Sequence, residues 1–223
     1  MKSYLSLLVF TISFSIFSQE AITKTVGEFS TLKVYDLINI SLIKSDENRV
    51  EISGKNKDDV VIVNKNGTLK IKMNLEEYFD GNKTTIDLYY TAVDVIDVNE
   101  GAYVTSTEEI SQYEIELKAQ EGGFIKLNLN VKETKIKSVS GGVIELKGKT
   151  NNQNLTLSTG GIFKGKDYES VTSKVAIRAG GEAYVNTSEL IDIKIRAGGD
   201  VYIYGDPNTI NESRALGGRI KRM

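Results

Sequence analysis

A glycine doublet returns along the second half of the chain at a nearly constant interval. Counted from a degenerate first copy at Gly101-Ala102, the intervals between first glycines are 21, 19, 19, 20, 18 and 19 residues. Such a period is typical of a solenoid, in which each repeat forms one rung stacked on the previous rung. The complete doublets are Gly122-Gly123, Gly141-Gly142, Gly160-Gly161, Gly180-Gly181, Gly198-Gly199 and Gly217-Gly218.

Apolar residues occupy fixed positions on both sides of each doublet. The positions three and five residues before the first glycine, and three and five after it, are apolar in most copies. Alternation of this kind predicts β-strands. Because the same positions are apolar in consecutive copies, one face of every strand should line a common core. Ser138, Gly165 and Arg214 are exceptions at these positions.

The glycines have a physical role in such a coil. A strand that turns a corner in every rung needs a residue without a β-carbon that can adopt positive φ. A rung of about 19 residues spans roughly 60 Å of chain, which is too short for a propeller blade of ~40 residues. The sequence therefore predicts an all-β fold, a parallel β-helix. An antiparallel sandwich of hairpins is the alternative, but hairpins would reverse the strand direction at each doublet.

Residues 1–18 differ in composition from the rest of the chain. Lys2 is the only charge, and the apolar and hydroxyl run from Tyr4 to Phe17 precedes a small residue, Ser18. This layout is typical of a secretory signal peptide, with a retained membrane anchor as the alternative. We therefore expect export to the periplasm, the cell surface or the extracellular space. No later run approaches 18 apolar residues, so we expect no transmembrane segment after signal removal.

The remaining residues, 19–223, are expected to form one β-helix domain. Irregular rungs should occupy 29–98 and regular Gly-Gly rungs 99–223. Two turn dipeptides lie in the irregular part, Asn66-Gly67 and Asp80-Gly81, and either could close a hairpin or mark a rung corner. We expect this part to cap the apolar end of the helix, because an uncovered terminal rung would expose a pairing edge.

Missing residue types exclude most kinds of chemistry. The chain has no histidine and no cysteine, which excludes Ser-His-Asp and Cys-His catalysis and imidazole-bound zinc. We therefore expect no catalytic residues, no cofactor and no metal. The formal net charge of −2 lacks the basic excess of a nucleic-acid binder, so no nucleic-acid partner is expected. A polysaccharide-active enzyme that uses two carboxylates stays open as the alternative function.

Three segments carry a resemblance to a known family. They are Phe29–Val34 (FSTLKV), Asn66–Ile71 (NGTLKI) and Leu155–Gly161 (LTLSTGG). With the signal peptide, they make nearly all of the mature chain resemble the bacterial family called putative auto-transporter adhesin, head GIN domain. The resemblance implies a single-stranded right-handed β-helix in an exported protein, typically from Bacteroidetes. It brings no family catalytic motif.

The last two complete rungs offer a candidate binding surface. Each of its residues recurs 18 positions later as the same or an equivalent type, and tyrosine and arginine often anchor interfaces. We expect the two arginines to neutralise the two acids; the columns could equally serve only to stabilise a solvated sheet face. The residues are Arg178, Glu182, Tyr184, Arg196, Asp200 and Tyr202.

The favoured function is an exported, non-enzymatic binding or adhesion module whose partner is a glycan or a protein at the cell surface. A structural spacer with no ligand fits the sequence equally well, because both would show the same outward columns. A deep groove lined by paired acids would favour the enzyme, whereas a regular outward face would favour the module.

Overall fold

The computed structural model describes residues 21–74, 76 and 80–223. About 71% of the described residues lie in strands. The described part contains no α-helix, only two short 3-10 turns at Lys57–Asp59 and Gly81–Lys83. The strands form a β-solenoid of about 7 turns of about 19 residues, so the predicted all-β parallel β-helix is confirmed.

The strands fall into a set of short N-terminal elements and a set of long regular ones. The proposed signal peptide, residues 1–18, lies outside the described residues. The strands are β1 Ile22–Thr25, β2 Thr31–Val34, β3 Asn39–Lys44, β4 Arg49–Gly54, β5 Val60–Lys65, β6 Thr68–Met73, β7 Thr84–Tyr90, β8 Val95–Val98, β9 Tyr103–Ala119, β10 Phe124–Val139, β11 Val143–Ser158, β12 Ile162–Ile177, β13 Glu182–Ala197, β14 Asp200–Tyr204, β15 Thr209–Leu216 and β16 Arg219–Arg222.

The long strands β9 to β13 stack in parallel, each paired with the next one along the chain. Their register matches equivalent positions, so Glu145 pairs with Lys164, and Lys164 pairs with Tyr184. Strand β13 then pairs in parallel with β14 and β15. Hairpins with Gly-Gly turns would give antiparallel neighbours, so the sandwich alternative is wrong.

The burial pattern divides a long strand such as β10 into two legs. In β10, alternate residues from Ile125 to Val131 are buried, and after Lys132 and Glu133 the buried phase resumes at Thr134. The side-chain period of a strand is two, so this break in phase marks a second corner opposite the glycine doublet. The apolar positions beside the doublets all point into one continuous core, as predicted.

The doublet corners use glycine for two different reasons. At Thr159 and Gly160 the chain takes φ values of 50° and 76°, in the left-handed region. A β-carbon on Gly160 would meet nothing within 4 Å, whereas one on Gly161 would lie 2.1 Å from the backbone oxygen of Ser138 in the rung below. The first glycine therefore relieves backbone strain, and the second allows two rungs to approach closely.

Three exceptions to the apolar pattern, Ser138, Gly165 and Arg214, each have a local explanation. The buried Ser138 hydroxyl donates a hydrogen bond of 2.5 Å to the backbone oxygen of Gly142. A side chain at Gly165 would overlap the ring of Phe163, which fills that part of the core instead. Arg214 is exposed because it lies in β15, in the terminal rung.

A buried polar seam runs behind the second corner of the middle rungs. The hydroxyl of the fully buried Tyr168 is hydrogen bonded to Thr134, which also donates to Thr150 at 3.1 Å. Burial raises the pKa of Tyr168 to about 12. A second buried group of hydroxyls comprises Ser170, Ser173 and Thr187.

The N-terminal part continues the stack but leaves the chain order. Strand β3 lies between β7 and β9, and β2 lies between β6 and β8, all in parallel. Beyond them, β4 and β5 pair antiparallel with β7 and β6, and β1 pairs antiparallel with β4. Asn66-Gly67 closes the β5–β6 hairpin, whereas Gly81 is the buried first residue of a 3-10 turn. These strands cover the apolar end of the solenoid, as predicted.

Candidate functional site

The tyrosines of the predicted surface stack on one another. Tyr184 of β13 pairs in register with Tyr202 of β14, and their ring centroids lie 4.8 Å apart with an interplanar angle of 11°. Tyr204 adds a third ring at 6.4 Å from Tyr184. The ammonium group of Lys221 lies 5.6 Å from the Tyr202 ring centroid, on the next layer. The three rings form a half-buried aromatic ladder on the outward face.

The acids of the predicted surface are also paired in register, but each has its own partner. Glu182 accepts a hydrogen bond of 2.6 Å from the Tyr184 hydroxyl, and this bond raises the pKa of Tyr184 to about 12. Asp200 binds the guanidinium of Arg219 through both carboxylate oxygens, with Nε at 2.8 Å from Oδ1. This pair lowers the pKa of Asp200 below its ordinary value.

The arginines of the predicted surface lie apart from the tyrosines. Arg178 lies in the corner between β12 and β13, and Arg196 lies near the end of β13, before the next corner. Both are exposed, and neither forms an ion pair with a carboxylate of the described residues. The expectation that they neutralise the two acids is therefore wrong. Arg219, from the following rung, is the cation that binds Asp200.

A cleft of about 270 Å³ opens beside the aromatic ladder, and we call it the lysine–tyrosine cleft. Its wall is a bulge in β12, where the pairing with β13 passes from Gly165–Val185 directly to Glu169–Asn186. Of the residues between these two pairs, Lys166 and Asp167 are exposed, whereas Tyr168 is buried in the core. The cleft is lined by Glu145, Leu146, Lys147, Lys164, Lys166, Asp167, Tyr184 and Tyr204.

The candidate surface predicted from the sequence contains one residue of this cleft, Tyr184, and it lacks Lys147, Lys166 and Tyr204. The signal was present in the doublet spacing, where an interval of 20 residues precedes one of 18. The longer rung contains the bulge, since additional residues in one strand are left without partners on its neighbour. Only the structure shows that Lys166 then lies 5.3 Å from the Tyr204 ring centroid.

A larger groove of about 620 Å³ runs along the second corners. Its carboxylates are Glu169 and Asp206, both exposed and separated by strand β13. A general acid needs burial or a like charge to keep its proton near neutral pH. Two solvated carboxylates lack that environment, so this groove gives the polysaccharide-active alternative no support. Across the described residues, no helix is both long and apolar enough to span a membrane.

Comparisons with known proteins agree with this architecture. The family model for "Putative auto-transporter adhesin, head GIN domain" matches residues 28–207. No curated protein matches the sequence. A crystal structure of a putative adhesin from Bacteroides fragilis shares the fold with a TM-score of 0.82 and 18% identity, covering 92% of this chain and 98% of that one.

Two further crystal structures share the fold. A putative adhesin from Parabacteroides merdae has a TM-score of 0.70 at 12% identity, covering 92% of this chain and 97% of that one. A putative lipid binding protein from Parabacteroides distasonis has a TM-score of 0.66 at 17% identity, with 92% and 98% covered. At these identities the likeness concerns the fold alone.

Proposed function

Because the chain belongs to the family of putative auto-transporter adhesin, head GIN domains, we propose that it is an exported, non-enzymatic module that binds a glycan or a protein. Residues 1–18 act as the signal peptide, and residues 19–223 form the single mature domain in the periplasm or at the cell surface. The family description and the adhesin-like neighbours support a binding role.

The observation that carries this proposal is the aromatic ladder of Tyr184, Tyr202 and Tyr204. Aromatic rings with a polar tip are enriched at binding surfaces, since they offer a large contact area at a low entropic cost. A purely structural ladder needs only matched polar columns, whereas this one combines stacked rings with an adjoining cleft. The outward face of the last rungs is therefore the place where we expect a partner to bind.

Paired substitutions test this surface. The double variant Tyr184→Ala with Tyr202→Ala should lose binding to cell surfaces or to a glycan array while retaining most of its thermal stability. The variant Arg178→Ala with Arg196→Ala is the matched control, because these exposed residues lie at the corners away from the rings. Loss of melting temperature without loss of binding would assign the tyrosines to the fold and overturn the proposal.

Export has its own test. Mass spectrometry of the protein recovered from its native host should find an N-terminus near Ser18 or Gln19. A mature chain that still contains the run from Tyr4 to Phe17 would contradict signal cleavage and favour a retained anchor.

A further inference from the structure

The lysine–tyrosine cleft carries unbalanced positive charge. Three lysines line it, Lys147, Lys164 and Lys166, and all three are exposed. Of its two carboxylates, Glu145 already binds Lys126 at 3.0 Å, on the neighbouring rung. None of the three cleft lysines forms an ion pair with a carboxylate in the part of the chain that the structure describes. The other carboxylate, Asp167, offsets one of the three ammonium groups, so the cleft presents a net charge of two positive units to a ligand.

The cleft also presents a flat apolar surface. Strand register stacks Lys164, Tyr184 and Tyr202 in that order. Tyr202 covers one face of the Tyr184 ring, so the other face turns toward the Lys164 layer and the cleft. The hydroxyl of Tyr184 is held by Glu182, which fixes the plane of the ring. A ring held in this way can stack against the carbon face of a sugar.

The shape of the cleft suits part of a chain molecule. The open volume of about 270 Å³ is close to the lower limit for small-molecule pockets, and the cleft continues into the aromatic ladder through Tyr204. A ligand that fills it would meet cations and an aromatic face together. Sugars that carry carboxylate or sulfate groups combine a negative charge with an apolar ring face.

We propose that the lysine–tyrosine cleft binds an acidic polysaccharide, with its anionic groups at the three lysines and one sugar ring against Tyr184. This inference rests on the proposed binding function and names the ligand class of the same surface. The anionic group could be a carboxylate or a sulfate, since an ammonium group binds both as a point charge.

The test compares three soluble probes by calorimetry on the mature protein. An oligogalacturonate supplies carboxylates, dextran sulfate supplies sulfates, and unmodified dextran is the neutral control. One or both acidic probes should bind, dextran should not, and the affinity should fall as salt is added. Equal binding of dextran, or no binding of either acidic probe, would overturn the proposal.

A pair of triple variants separates this cleft from general surface charge. Replacing the three cleft lysines by glutamine should weaken acidic-probe binding about tenfold, since each exposed ion pair contributes modestly. The matched control replaces Lys65, Lys70 and Lys72 by glutamine; these are equally exposed lysines on the N-terminal strands β5 and β6. Equal losses of affinity in both variants would indicate nonspecific attraction to surface lysines and would overturn the proposed binding at the cleft.

Two single substitutions of Tyr184 separate the contribution of its ring from that of its hydroxyl. Tyr184→Phe should keep most of the affinity for the acidic probe, whereas Tyr184→Ala should lose it.

Binding by the wild-type protein separates the failure of this inference from the failure of the proposed function. If the wild-type protein binds cells but neither acidic probe, the proposed acidic ligand is wrong and the binding function stands. If it binds neither cells, glycan arrays nor probes, both proposals fail.

Discussion

The regular rungs and the N-terminal cap share one core but are built by opposite rules. From β9 to β13, each layer is one continuous stretch of chain, and each strand pairs with its neighbour in sequence. In the cap, β3 pairs with β7 and β9, and β2 pairs with β6 and β8. Layers there are assembled from separate segments, so no sequence period survives.

The two ends of the stack show why the cap differs. At the N-terminal end, antiparallel strands cover the core, and residues such as Leu69 and Ile52 are fully buried. At the other end, β15 and β16 are mostly exposed, and Leu216 keeps 75% of its surface accessible. A parallel stack can grow by repetition, but its end can be closed only by strands that break the repetition.

Substitutions of corner glycines should give the largest difference in unfolding free energy between the regular rungs and the cap. Gly161→Val places a side chain against the backbone of the rung below, so we expect a loss of about 4 kcal/mol or more in unfolding free energy. Gly67→Val, in the cap hairpin at φ +72°, meets no atom within 4 Å and should cost only the strain of about 1–3 kcal/mol. Chemical denaturation measures both.

The surface control for this series is Lys164→Val, which should change stability by less than about 0.5 kcal/mol. If Gly67→Val proved as damaging as Gly161→Val, close approach between rungs would not be the reason for the second glycine.

Truncation at the two ends should have unequal effects. Leu69→Ala removes a fully buried side chain of the cap and should cost about 3 kcal/mol. Leu216→Ala removes a mostly exposed side chain of the last rung and should cost less than about 0.5 kcal/mol. Comparable losses in thermal melts would show that the last rung is covered in solution.

The hydroxyls of the polar seam are buried in the rungs, whereas the cap buries other polar side chains, such as Asp36 and Thr84. Tyr168→Phe removes the buried hydrogen bond between the Tyr168 hydroxyl and Thr134, which keeps only its bond to Thr150, and should cost about 1 kcal/mol. Tyr90→Phe, in cap strand β7, is the matched control, because the Tyr90 hydroxyl has no hydrogen bond among the described residues. Equal losses of unfolding free energy in the two variants would show that the hydrogen bonds of the seam do not stabilise the rungs.

The smallest effect concerns the aromatic ladder. The hydrogen bond to Glu182 raises the Tyr184 pKa from 10.0 to about 12. The contribution of this hydrogen bond to stability is therefore complete below about pH 10 and is lost as the pH rises through about 12. Glu182→Gln should return the Tyr184 pKa toward its ordinary value. The measurement is tyrosinate absorbance against pH, with Tyr184→Phe variants subtracted to isolate this ring.

Much of the architecture could be predicted from the sequence. The doublet period and the apolar positions beside it predict the parallel stack, its corners and its core, because every rung repeats the same local requirements. The same register predicted that Tyr184 and Tyr202 stack and that Glu182 and Asp200 pair. The cation that binds Asp200 was missed, although the pattern contained it: Arg219 lies two residues after the first glycine of its doublet, as Asp200 does, and pairs with Asp200 in register.

Two things were decided only by the tertiary structure, for the same physical reason. The cap places β3 between strands that follow it in the chain by 40 residues or more, and such long-range pairing leaves no local period. The bulge in β12 turns a flat ladder into the lysine–tyrosine cleft by displacing a few residues out of register. Sequence by itself determines a feature that is repeated locally; a feature made by one departure from the repeat depends on how the neighbouring layers pack around it.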